Sequence, residues 1–159
     1  MKPEIREIGE KKLMGMRVKT SLSDNKTSLL WQNFMSRLNE IEKKLNTGYY
    51  SVQVYDGLDV FNQFTEKTLF EKWAAVEVAD SNMVPEGFES CILSGGRYAV
   101  FIHKGPANTF HKTAQHIFGT WLPNSEFELD DREHFEIMGE KYKGPDNPES
   151  EEEVWVPVK

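Results

Sequence analysis

Apolar and polar positions alternate along much of this chain, and the phase of the alternation predicts most of its elements. Ile5, Ile8, Leu13, Met14, Met16 and Val18 mark a strand over residues 4–20, interrupted near Gly9. A polar connection from Thr20 to Thr27 follows. Leu30, Phe34, Leu38, Ile41 and Leu45 then recur three or four residues apart, which predicts a helix with one apolar stripe. Ser23, Asp24 or Asn25 is placed to cap its start, and Gly48 stands just past its end. Tyr50, Val52 and Val54 alternate with Ser51, Gln53 and Tyr55 as in a strand. Residues 56–67 read as loop, and 69–79, centred on WAAVEV, as another strand.

The pattern then restarts. A connector, Val84-Pro85-Glu86-Gly87, leads into strands over 88–93 and 98–103 that flank a turn at Ser94-Gly95-Gly96. Pro106 suits a first helical position, Phe110, Ala114, Ile117, Phe118 and Trp121 form an apolar stripe, and Pro123 limits it. Strands HFEIM and EVWVPV close the chain. The order strand-helix-strand-strand thus occurs twice, at an offset of roughly 80 residues. KLMGMRVK corresponds to RYAVFIHK, SVQVY to HFEIM and AAVEV to WVPV. A half of this size buries its own sheet poorly, so the two halves, about 1–80 and 84–159, are expected to pair into one α+β domain. Its curved antiparallel sheet would carry helices on one face and a ligand groove on the other.

The last 26 residues or so define the face of interest, since an unpaired alternation has two sides. Phe135 and Ile137 point one way, and His134, Glu136 and Met138 the other. Val154, Val156 and Val158 share a face, and Glu153, Trp155 and Pro157 share the opposite one. A small aliphatic face suits a helix. The expected groove face then carries the carboxylates of Glu136 and Glu153, the Met138 thioether and the Trp155 indole.

Composition narrows the function classes. The chain has 159 residues, is 38% hydrophobic and 28% charged, and is therefore globular rather than disordered. Aromatics reach 12%, enough to line a pocket as well as a core. A net charge of −7 argues against direct contact with DNA or RNA, which needs a basic face. It suits a cationic ligand. Cys91 is the single cysteine, so no intramolecular disulfide forms, and nothing nearby in sequence would activate it. The charged N-terminus lacks the apolar stretch of a secretory signal, and no run approaches the roughly 18 apolar residues of a membrane span. A cytoplasmic protein without membrane attachment is expected. His103, His111, His116 and His134 fall in no metal-ligand spacing, and no phosphate-loop or nucleophile motif occurs, so no metal or other cofactor is expected.

VPEG at 84–87, GGRYAVFIHKGP at 95–106 and the closing FEIMGEKY…EEEVWVPVK together resemble the gyrase-inhibitor-like effector-binding domain of AraC-type and MerR-type multidrug regulators. The resemblance implies two strand-helix-strand-strand units around a groove for lipophilic cations. It implies that Glu136 supplies the counter-charge and that aromatic residues stack on the ligand. Members of that family often carry Tyr where Met138 stands; Tyr55, at the repeat-related position, could supply a phenol from the other half. No helix-turn-helix region accompanies the domain in this sequence, so it is not expected to be a transcription factor by itself.

Glu136 leads the candidates, because a carboxylate on a central strand is costly to desolvate unless a cation or donors meet it. Trp155 and Trp73 are candidate cation-attracting rings, with core packing the alternative for each. Tyr55 and Gln53 share a face of the strand related to that of Glu136, and Met138 offers an adaptable lining. Glu153 ends an acidic run that otherwise reads as solvated loop. Trp31 and Trp121 lie on helical stripes and read as core. The leading function is a stand-alone binder of hydrophobic, cationic small molecules that either sequesters them or senses them and signals through a separate DNA-binding partner. The resemblance implies a second reading, since some stand-alone members of that family hydrolyse strained-ring alkylating compounds: a hydrolase with Glu136 as general base and Tyr55 as donor. It implies a third, since a member of that family binds a topoisomerase: an inhibitor that engages such a partner through its acidic surface.

Overall fold

A computed structural model describes residues 1–79 and 83–159. Among these, eight strands form one antiparallel sheet in the order β1-β6-β8-β7-β3-β4-β2-β5. They are β1 (Glu4–Ile8), β2 (Lys11–Thr20), β3 (Lys44–Val54), β4 (Phe70–Val78), β5 (Glu89–Leu93), β6 (Gly96–Lys104), β7 (His134–Met138) and β8 (Glu151–Pro157). The repeat seen in the sequence is visible here: β2-β4-β3 of the first half mirrors β6-β8-β7 of the second, and β3 meets β7 at the centre.

The closure of the sheet was not legible in the pattern. Ser94-Gly95-Gly96 is not a hairpin turn, since β5 and β6 do not pair with each other. β5 pairs with β2 from Lys11–Leu93 to Gly15–Glu89, while β6 pairs with β1 from Glu4–Val100 to Ile8–Gly96. Both sets of pairs keep one register. Residues 4–15 and 89–100 therefore run side by side as one antiparallel ribbon, bent where Gly9-Glu10 crosses Ser94-Gly95. Its two ends supply the two edges of the sheet, which curls the sheet into a half-barrel. The crossing demands glycine: a β-carbon on Gly95 would stand 2.9 Å from the Ile8 carbonyl oxygen and 3.1 Å from the Glu10 nitrogen, closer than such atoms pack.

One apolar cluster fills the inside of the curl with residues from both halves: Leu13, Tyr50, Val52, Trp73, Ala75, Leu93, Tyr98, Val100, Phe135 and Trp155. The outside carries two separate clusters, each under its own helical layer. Helix α1 (Thr27–Ser36) buries Leu30 and Phe34 against Met14, Ala74 and Val76. Helix α2 (Phe110–His116) continues through a π turn (Ile117–Trp121) into α3 (Leu122–Asn124) and covers Ala99, Phe101, Val154 and Val156. Trp31 and Trp121 pack at the margins of these clusters, as core residues.

Two helix limits differ from the pattern. α1 ends at Ser36, and a short 3-10 turn (Leu38–Glu40) carries the apolar stripe only as far as Ile41. Ile41 is extended, Lys43 has a φ of 59°, and Lys44 already pairs with Val78, so Leu45 lies exposed in a strand. Its helical spacing is coincidence. The N-cap of α1 is Lys26, whose own side chain makes no capping bond and whose backbone N–H donates to Thr20 Oγ1 at 2.9 Å, while Asn25 Oδ1 accepts the Thr27 N–H at 3.0 Å. Pro123 does not end the second helical run, because it falls in the first turn after the π segment, where a missing N–H costs little. No helix among the described residues is long and apolar enough to cross a membrane.

The ribbon crossing generates a prediction. Gly95→Ala should destabilise the fold by about 1–3 kcal/mol, the usual cost of forcing atoms into a filled space. Gly9→Ala, with nothing within 4 Å of the new carbon, should cost much less. Urea denaturation of the two variants against the wild type measures the difference.

Candidate functional site

Strand pairing sorts the candidate residues onto the two faces, since every paired couple shares one side of the sheet. Gln53 pairs with Lys72 and with His134, Ser51 with Glu136, and Glu136 with Val154. These side chains therefore lie on the outer, helix-bearing face. Phe135 pairs with Trp155, and Ile137 with Glu153, on the inner face. The expectation that Glu136, Met138, Glu153 and Trp155 share a face is thus corrected. Glu136, Met138, Gln53 and Tyr55 stand outside, in the strip of central strands between the two helical clusters, while Trp155, Trp73 and Glu153 stand inside.

The inner set is closed upon itself twice over. The Trp155 indole N–H donates to Glu153 at 3.1 Å and its ring lies under the Arg6 guanidinium, 5.3 Å from the centroid. The Trp73 indole N–H donates to Glu71 at 2.6 Å, with Arg17 5.9 Å from its ring. Arg6 also reaches Glu153, and Arg17 reaches Glu71. Both indoles are at most 5% exposed. They are core rings with their own cations, in keeping with the packing alternative for each.

The outer strip is where charge is left among rings. Gln53 Nε2 donates to Glu136 Oε1 at 3.0 Å, and Lys72 Nζ lies 3.8 Å from the same oxygen. The side chains of Lys72 and Glu136 are only 10% and 12% exposed. Burial raises the Glu136 carboxyl above its usual range, against the opposing pull of Lys72 and the Gln53 hydrogen bond. Burial likewise lowers the Lys72 ammonium, opposed by Glu136 and Glu152. Glu152, on the same outer face of β8, is pushed up to about 7 by burial and by the Glu136 charge. The floor therefore sets the amine of Lys72 against the carboxyl groups of Glu136 and Glu152.

A wall of rings borders this floor. Tyr55 sits 4.8 Å from Phe61, 5.4 Å from Phe70, 5.1 Å from His134 and 6.1 Å from Phe64, centroid to centroid. Phe118, carried by the π turn of the same half and exposed, approaches His134 at 6.0 Å. Burial and the Glu136 charge hold the Tyr55 phenol protonated well above its usual range. His134 is lowered to about 4 by burial, with Arg132 adding to the effect, so it is a neutral ring at pH 7.

Lys72, Glu152, Phe61, Phe64, His134 and Phe118 were not singled out in the sequence. A signal existed for two of them. Glu152 keeps step with Val154 and Val156, and Lys72 with Ala74 and Val76, so each charge continues a row of buried residues. The rings of residues 61 and 64 gave none, since they lie in a short 3-10 segment (Leu58–Gln63) and its end. Cys91 is raised to about 12 by burial and takes no part.

A curled antiparallel sheet with a ring-lined strip between two helical layers defines a small-molecule-binding module. The chain belongs to the family of GyrI-like small molecule binding domains, which matches residues 1–159. It is 27% identical over 146 residues to the transcriptional regulator BrlR of Pseudomonas aeruginosa, a match that covers 92% of this chain and 51% of that protein. The chain thus spans about half the length of the curated relative it matches. Among solved structures, it superposes on SAV2435 bound to tetraphenylphosphonium with a TM-score of 0.76 and 15% identity, covering 100% of this chain and 94% of the other. It superposes on EcmrR, solved in a complex with DNA, with a TM-score of 0.74 and 17% identity, covering 99% of this chain and 57% of the other. At these identities the two structures share the fold.

The buried His134 gives a pH prediction. Its folded pKa is below the unfolded value of 6.5, so its contribution is complete above pH 6.5 and is lost as the pH falls toward 4. His134→Phe keeps a ring and removes the titration. Between pH 7 and 4.5 the wild type should lose about 2–3 kcal/mol more stability than this variant. Urea denaturation at both pH values checks it.

Proposed function

We propose that this domain binds hydrophobic cations in the strip between its helical layers. The observation that carries the reading is the floor itself: two carboxylates, Glu136 and Glu152, face one ammonium, Lys72, in a largely buried setting walled by aromatic rings. Excess negative charge at low dielectric favours a cation, and the rings of Tyr55, Phe61 and Phe118 favour one with an apolar body. Gln53 and Met138 lie on the same face and would complete the lining. The fold neighbour solved with tetraphenylphosphonium holds a ligand of this class. Binding is favoured over hydrolysis because the Glu136 oxygen that would act as a base already receives Gln53 and Lys72. Trp155, Trp73 and Glu153 take no part in this reading.

The output would pass to DNA through another chain or segment rather than through this surface. The relative BrlR is a transcriptional regulator, and EcmrR has been solved on DNA. A net charge of −7 makes this domain the sensing part of such an arrangement.

A thermal-shift experiment with tetraphenylphosphonium and with neutral triphenylphosphine oxide tests the reading. A ligand at 100 times its dissociation constant adds about 2.7 kcal/mol of stability. The cation should stabilise the wild type, the neutral compound should do so far less, and Glu136→Gln should lose most of the effect by leaving Lys72 unopposed. Equal stabilisation by both compounds, or by neither, would contradict it.

A further inference from the structure

We propose that the group which meets the charge of a bound cation is Glu152, while Glu136 is reserved by Lys72 as the internally paired floor of the groove. The inference rests on the cation-binding reading above and assigns the contact within it.

The two carboxylates differ in what already satisfies them. One oxygen of Glu136 accepts the Gln53 amide at 3.0 Å and faces Lys72 Nζ at 3.8 Å. A cation arriving at Glu136 has to compete with an ammonium tethered to β4, which reaches across β3, at an effective concentration no free ligand matches. Glu152 makes no hydrogen bond or ion pair among the described residues. The groups that face it come from four elements. Lys72 of β4 is already engaged with Glu136. Glu136 of β7 repels it. His103 of β6, its cross-strand partner, has both ring nitrogens occupied, Nδ1 by Thr113 Oγ1 at 2.7 Å and Nε2 by the Pro106 carbonyl at 3.3 Å. Tyr142, in the loop after β7, feels the charge of Glu152 beside its phenol and offers a ring rather than a counter-ion.

Lys72 therefore balances one carboxylate and Glu152 is the other. Near pH 7 it is divided between its protonated and ionised forms. A cation beside it favours the ionised form, so binding is an exchange of one positive charge for part of a proton. The same arrangement explains why the reserved residue still matters. In Glu136→Gln the ammonium of Lys72 loses its partner and turns its charge toward Glu152 and the ligand.

Calorimetric titration with tetraphenylphosphonium separates the possibilities. At pH 8, Glu152→Gln should bind about tenfold or more weakly than the wild type, the scale of losing a partly desolvated charge partner. The double variant Lys72→Met/Glu136→Gln should bind about tenfold or more tightly than Glu136→Gln alone, because the stray ammonium is gone. At pH 7, the wild type should release a fraction of a proton, read from titrations in two buffers of different ionisation enthalpy. That readout needs no variant to fold. Unchanged affinity in Glu152→Gln, no rescue in the double variant, or no proton release would each overturn the assignment of Glu152 while leaving the groove as a cation site. If the wild type does not bind the cation at all, the reading of the groove itself fails.

Discussion

Everything in this fold depends on one antiparallel ribbon, in which residues 4–15 lie against residues 89–100 without a break in register. Each partner begins in one half of the molecule and ends in the other. The ribbon ties the two edges of the sheet to its two halves and forces the curl. The curl in turn makes the two faces unlike. The inner face is a single shared core, while the outer face is divided between two helical layers with a strip of strand between them that rings border. Where the ribbon bends, the Gly95 backbone lies close against the Ile8 carbonyl.

That division has an electrostatic result. A charge placed on the inner face has to be satisfied by neighbours, and Glu71 and Glu153 are, each by an indole N–H and an arginine. On the outer strip the helices do not reach, and the charges of Lys72, Glu136 and Glu152 are only partly offset by one another. A buried ion pair contributes little net stability, because desolvation cancels most of the attraction. Under the proposed assignment, the pair sets which carboxylate is open to a ligand.

How much was readable from the sequence follows from what alternation can and cannot encode. The period of two in HFEIM and EVWVPV fixes which residues share a face within each strand, and both assignments hold. It says nothing about the phase of one strand against the next, which the loop over 139–150 leaves free. A one-residue slip exchanges faces, and the pairing of Phe135 with Trp155 is what moved Trp155 away from Glu136. The repeat was visible because both halves keep the same phase. The ribbon was not, because a bend at Ser94-Gly95 and a hairpin turn use the same residues. Leu45 extended a helical stripe by chance, and only the left-handed Lys43 and the pairing of Lys44 show where the strand begins. Glu136 was legible because a strand carboxylate among apolar neighbours is conspicuous. Its partner Lys72 was legible only through its step with Ala74 and Val76, a weaker sign than a carboxylate flanked by apolar residues.

The two arginine-covered indoles have a meaning beyond packing. Arg6 over Trp155 and Arg17 over Trp73 are covalently supplied cations that occupy the two indoles of the inner face. Under the proposed function, an incoming lipophilic cation would find those rings taken and be left with the tyrosine and phenylalanine of the outer strip, which hold a positive charge less firmly. The molecule would then separate a permanent set of such contacts, which it uses as mortar, from a weaker and reversible set. A receptor that must release what it captures would gain from this arrangement, because the inner-face indoles, better able to trap its cargo, are already filled.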